Sequence, residues 1–154
     1  MKKTINVGDA LKGTPRPHHL VGEAEYTYKN GIHTLKGDVI FKSKGNPSIE
    51  DRVAEHLPNP HVNSGEAFYA IWNGGHIMGD FQGYTERIIV DEIRIKPKKI
   101  ISADTLLHLK VWGGEKKKRI DRKGIPYYLG TIEGNISQHG EILVELSSNY
   151  FARK

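Results

Sequence analysis

Cysteine is absent from the 154 residues, which excludes disulfides, thiolate zinc sites and cysteine nucleophiles. No apolar run approaches the ~18 residues that a membrane span needs. The chain opens on Lys2 and Lys3 with no apolar stretch behind them, so no secretory signal is read there and a cytoplasmic location is expected. Internal repeats and low-complexity linkers are missing too. The length suits one domain over residues 1–154, or one protomer of an oligomer. One further gap is local: neither Lys nor Arg occurs from Val62 to Thr85.

Hydrophobic residues make up 37% and charged residues 27%, a balance that can bury a core without staples. The net charge of +5 suits nucleic acid, an anionic membrane surface or a phosphorylated ligand. Much of the excess lies in RIKPKK (Arg94 to Lys99) and EKKKRIDRK (Glu115 to Lys123). Neither interleaves the aromatics that stack bases. Both read as solvated loop ends, and nucleic acid is not the expected partner.

Residues 1–22 hold Gly8, Gly13, Pro15 and Pro17 and read as an irregular arm with at most a short helical piece. From Glu23 to Lys42, β-branched and aromatic residues flank the turn signal Lys29-Asn30-Gly31, a first strand or hairpin. Asn46-Pro47-Ser48 followed by Glu50 and Asp51 starts a short helix that Pro58 and Pro60 would stop. Thr105 to Trp112 and Glu141 to Tyr150 alternate apolar and polar residues with the period of a strand. Arg87 to Ile95 and Tyr127 to Ser137 read as two more strands. Turns are expected at Pro97, Gly113-Gly114, Gly124 with Pro126, and His139-Gly140. The sum is an α+β domain, an antiparallel sheet with one central helix on its face.

That helix is NPHVNSGEAFYAIWNGGHIMGD, Asn59 to Asp80. Asn63 or Ser64 suits the N-cap, and Glu66 stands in the first turn, where a carboxylate meets the positive helix end. Phe68, Trp72 and Gly75 share one side, while Glu66, Tyr69, Asn73, His76 and Asp80 follow three- and four-residue steps along the other. A helix that merely covered a sheet would carry Lys or Arg outside. The polar stripe is therefore expected to face a partner, a channel or a ligand. Gly65, Gly74-Gly75 and Gly79 each cost about 1 kcal/mol of helix propensity, so close backbone packing is expected in return.

His61-Val62-Asn63 resembles the H-x-N element that opens the central helix of many hot-dog acyl-CoA thioesterases. HVNSGE followed by Asn73 is similar to the H-x-N-x-x-E…N run of the FcoT-like long-chain acyl-CoA thioesterases, and Gly140 to Ile142 resembles that family's closing strand. In the family the second asparagine stands one residue closer to the glutamate, and Glu55 and His56 occupy the place of its tyrosine. His56 to Pro60 also resembles the H-F-P-G-x-P element of hydroxyacyl-carrier-protein dehydratases. The acid of that family aligns near Ala70, an apolar residue.

The resemblance implies a hot-dog fold, an antiparallel sheet wrapped around one long helix. It also implies an acyl-CoA or acyl-carrier-protein thioester as substrate. Thioester hydrolysis needs an oxyanion site, an activated water and room for an acyl chain. On that reading the amides of Gly65 and Glu66 meet the oxyanion. Glu66 is the general base or nucleophile, Asn63 and Asn73 hold water or thioester, and His61 orients Glu66 or moves a proton. Tyr69, Trp72 and His76 line the substrate slot, and Lys116, Lys117, Lys118 and Arg119 meet the carrier's phosphates. His76 and Asp80 lack an H-E-x-x-H context, so no metal is expected, nor any cofactor. The resemblance further implies a homodimer or homotetramer with sites near the interface. A hydroxyacyl-thioester dehydratase or hydratase and a non-catalytic acyl-CoA-binding protein are the alternative readings.

Overall fold

The structure, a computed structural model, describes residues 1–14, 18–47, 49, 62–84 and 88–154. Its strands are β1 (Lys2–Asn6), β2 (Leu20–Lys29), β3 (Ile32–Val39), β4 (Ile89–Pro97), β5 (Leu107–Ile120), β6 (Pro126–Gln138) and β7 (Glu141–Ala152). Among the described residues the complete helices are α1 (Val7–Ala10) and α2 (Ser64–Phe81). The strands form one antiparallel sheet in the order β1-β2-β3-β5-β6-β7-β4. The expected helix after Asn46 falls mostly outside the described residues.

Period-two patterning sets the inner face. Leu107, Leu109 and Val111 of β5, Ile132 and Ile136 of β6, and Val144, Leu146 and Tyr150 of β7 are buried. Against them α2 lays Ala67, Ala70, Ile71, Gly74, Gly75, Ile77 and Met78. Each large aliphatic side chain so enclosed contributes roughly 1.5–3 kcal/mol. The mid-helix glycines fit this contact: a Cβ on Gly74 would meet the Val111 side chain, and one on Gly75 the Ile132 side chain. Strand β6 answers with its own gap, since a Cβ on Gly134 would collide with Ile71.

Both helix ends are closed. The Asn63 side chain accepts from the Glu66 amide at 2.9 Å, and the Val62 amide donates to the Ile101 carbonyl at 2.9 Å, tying the entry segment down. At the far end Gly83 takes φ +79°, its amide reaches Asp80, and the Tyr84 amide reaches Gly79. That is a Schellman closure, for which glycine's freedom at positive φ is needed.

Two expectations change. The N-terminal arm is not irregular throughout: β1 pairs with β2 from Lys2↔Thr27 to Asn6↔Glu23, and Asn6 caps α1 by accepting from the Asp9 amide. Only Ile5 of that strand is even partly buried, so hydrogen bonding to the edge of β2 forms it rather than a patterned face. Gly113-Gly114 is not a turn. Strand β5 runs through it to Ile120, because the missing side chains let the backbones of Thr131 and Gly31 come close.

Candidate active site

The tip of α2 brings together two groups 47 positions apart. His19, just ahead of β2, places its Nε2 2.6 Å from Glu66 Oε2. Its imidazole packs on Phe41, ring centroids 4.6 Å apart, and the side chain is 6% exposed against 20% for Glu66. The amide of Ile40 donates to the His19 carbonyl at 3.0 Å, so strand pairing holds the histidine backbone as well. In a capping box the third-position glutamate reaches back to the N-cap amide. Here Asn63 makes its half of that exchange, while Glu66 Oε2 turns to a histidine from another element.

The arrangement has the parts of an acid–base site: a carboxylate held by an imidazole, half-buried, at the positive end of a long helix. The Glu66 amide is committed to Asn63. Of the two expected oxyanion donors, the Gly65 amide is therefore the one left at the tip; among the described residues it has no acceptor.

The other expected site residues distribute unevenly. His61 lies outside the described residues. Tyr69 is half-buried one turn from Glu66. Asn73 is 9% exposed and sits about 10 Å further along the axis, too far to share a water with Glu66 directly.

The expected division of α2 into two sides shifts. Asn73 belongs to the buried side with Ala70 and Ile77, whereas Phe68 and Trp72 are half-buried and His76 is exposed, their ring centroids 5.9 and 5.2 Å apart in succession. The cause is the closeness of the sheet at Gly74 and Gly75, which admits alanine and glycine but not an indole.

His76 and Asp80 stand one turn apart at the outer end of α2. Crowding of the imidazole depresses its pKa, a tendency that the Asp80 charge partly offsets. Burial raises the Asp80 carboxyl, with His76 pulling the other way.

Lys116, Lys117, Lys118 and Arg119 are exposed but lie at the wrong end. Glu115 beside them accepts from the Tyr84 hydroxyl at 3.1 Å, past the C-terminus of α2. An 18-residue helix is about 27 Å long, and that length separates the basic run from Glu66 in one protomer. The expectation that they meet phosphates of a substrate held at Glu66 is not met within a single chain.

His19 escaped the sequence reading altogether. Its sole local signal is the pair His18-His19 after two prolines, and a neighbour 47 residues away leaves no trace in spacing.

No protein-family model and no curated protein matches this chain. Solved structures do. A protein described as a candidate thioesterase from Lactococcus lactis is 10% identical with a TM-score of 0.56, covering 84% of this chain and 89% of its own. Another so described, from Shewanella oneidensis, is 8% identical with a TM-score of 0.50, covering 83% and 81%. A hypothetical thioesterase from Streptococcus pneumoniae, solved with coenzyme A, is 13% identical with a TM-score of 0.50, covering 85% and 88%. At these identities the likeness carries the fold.

Proposed function

We propose that this chain, a hot-dog fold with its sheet wrapped around α2, hydrolyses acyl thioesters with Glu66 as general base. The observation that carries the reading is the 2.6 Å contact between His19 Nε2 and Glu66 Oε2 at the helix tip. Glu66 takes a proton from water as the water oxygen attacks the thioester carbonyl. The oxyanion that forms is met by the Gly65 amide and the positive end of α2. Collapse breaks the C–S bond, and the departing thiolate receives the proton held by Glu66. His19 keeps the carboxylate aimed throughout. Asn63 holds the first turn rigid, and Tyr69 lies one turn away for the acyl group.

Coenzyme A or an acyl carrier protein supplies the thiol. The hypothetical thioesterase of the same fold solved with coenzyme A supports the first. A dimer would pair two copies through β4. That strand lies at the sheet edge, nine residues long, with Ile89 and Ile93 exposed, and such an edge invites a second strand.

The same pair favours one other reading. A carboxylate beside an imidazole can also move the two protons of a hydroxyacyl-thioester dehydration. Free-thiol release from short-, medium- and long-chain acyl-CoA esters decides between them. Steady thiol release supports the hydrolase. Intact thioesters, with hydroxyacyl-CoA converted to enoyl-CoA, would replace it with the dehydratase.

A further inference from the structure

His19 also borders a cleft of about 400 Å³, lined by residues of the N-terminal arm, β2 and the segment after β3. Gly8, His18, His19, Lys42, Lys44 and Asn46 are among its walls, and none of its described lining residues is a carboxylate. We propose that this cleft binds the phosphate groups of a pantetheine-type carrier, with Lys42 and Lys44 as the cationic contacts and His19 as the wall shared with Glu66. The identity of the ligand rests on the acyl-thioester reading; the anion site itself does not.

Three features support it. First, Lys42 and Lys44 are exposed, and neither is engaged in an ion pair among the described residues. Second, the segment that carries them is pinned. Between them, Ser43 donates from its amide to Asp104 Oδ1 at 3.0 Å and from its hydroxyl to Oδ2 at 2.6 Å. The Asp104 amide in turn donates to the Phe41 carbonyl at 2.9 Å. The two Ser43 bonds draw the Asp104 carboxyl below its ordinary pKa, and among the described residues it makes no ion pair with either lysine. Third, the reach is right. Ile40 is bonded to His19, and Lys42 and Lys44 follow two and four residues later, at most about 7 and 14 Å away. His19 touches both the cleft and Glu66, so an extended arm of two amide units can join them. A phosphate in the cleft and a thioester at Glu66 then belong to one extended ligand, which Lys116 to Arg119 could not reach.

The test is binding of free coenzyme A, dephospho-coenzyme A, 4′-phosphopantetheine and pantetheine by calorimetry, to the whole chain and to the double variant Lys42→Glu/Lys44→Glu. The wild type is expected to bind coenzyme A with an affinity that falls as salt rises. The variant, checked for an unchanged thermal transition, is expected to bind it at least tenfold more weakly. Pantetheine, without phosphate, is expected to show no difference between the two proteins. Retained affinity for 4′-phosphopantetheine assigns the site to the phosphate that a carrier protein also bears. Loss on passing to dephospho-coenzyme A assigns it to the 3′-phosphate of the nucleotide.

Equal coenzyme A affinity in wild type and variant overturns the proposal, even if acyl esters are hydrolysed. Conversely, charge-dependent binding without thiol release from any ester leaves the cleft standing and removes the hydrolase reading. Where hydrolysis occurs, the variant should raise KM for acyl-CoA at least tenfold and change kcat far less.

Discussion

His19 Nε2 and Glu66 Oε2 lie 2.6 Å apart, and the histidine is packed so tightly on Phe41 that its ring has little choice of direction. Toward the reacting atoms its role is to position Glu66; it also borders the proposed carrier cleft. His19→Leu should lower kcat roughly a hundredfold, the scale of misaligned acid–base groups, and leave KM within about threefold. His19→Gln, whose amide still donates to the carboxylate, should recover part of the loss. Equal effects of the two variants would mean that His19 serves folding alone. The check is steady-state kinetics beside thermal unfolding.

Gly113 is required by the backbone rather than by flexibility. A Cβ there would strike the Thr131 carbonyl oxygen, whereas one at Gly75 meets only the tip of Ile132, which can turn aside. Gly113→Ala should therefore cost about 1–3 kcal/mol, a fall of roughly 3–10 °C in Tm for a chain of this size. Gly75→Ala, helped by alanine's helix propensity, should stay within about 1 kcal/mol of wild type. Differential scanning calorimetry on both variants measures the contrast.

Much of the sheet and the whole of α2 could be read from the chain, because their cause is local. Leu107, Leu109 and Val111 alternate with His108 and Lys110 to match a face half in water, and Asn63 with Glu66 makes a helix start visible. What could not be read depends on partners far away in sequence. Lys2 to Asn6 becomes a strand only because β2 offers an unpaired edge. The Gly113-Gly114 pair looks like a turn until the crossing of Thr131 and Gly31 is known. Asn73 looked like part of an outer stripe because helical spacing says which residues share a face, not which face the sheet approaches. Half of the candidate site was thus legible, its carboxylate and cap, and the histidine opposite was not.

His76 and Asp80 predict a pH effect with a definite sign. Burial favours neutral His76, so its folded pKa lies below 6.5. The unfolded chain then binds the extra proton first. This residue's contribution to stability is full above about pH 6.5 and declines as pH falls through the folded value. Asp80, its pKa raised above 3.8, acts oppositely at lower pH. Proton NMR titration should place the His76 imidazole below 6.5. Asp80→Asn, by removing the nearby negative charge, should move it lower still; an upward move would contradict the assignment.

The central claim is that Glu66 is the base that activates water at the tip of α2. Its most direct test is the rate of free-thiol release from one acyl-CoA ester by wild type and by Glu66→Gln, which keeps the size of the side chain and its hydrogen bonding but not its basicity. The account predicts steady release by the wild type and a fall in kcat of about a hundredfold or more, with the variant folded and still binding coenzyme A. A Glu66→Gln protein that hydrolyses the ester at the wild-type rate would contradict it.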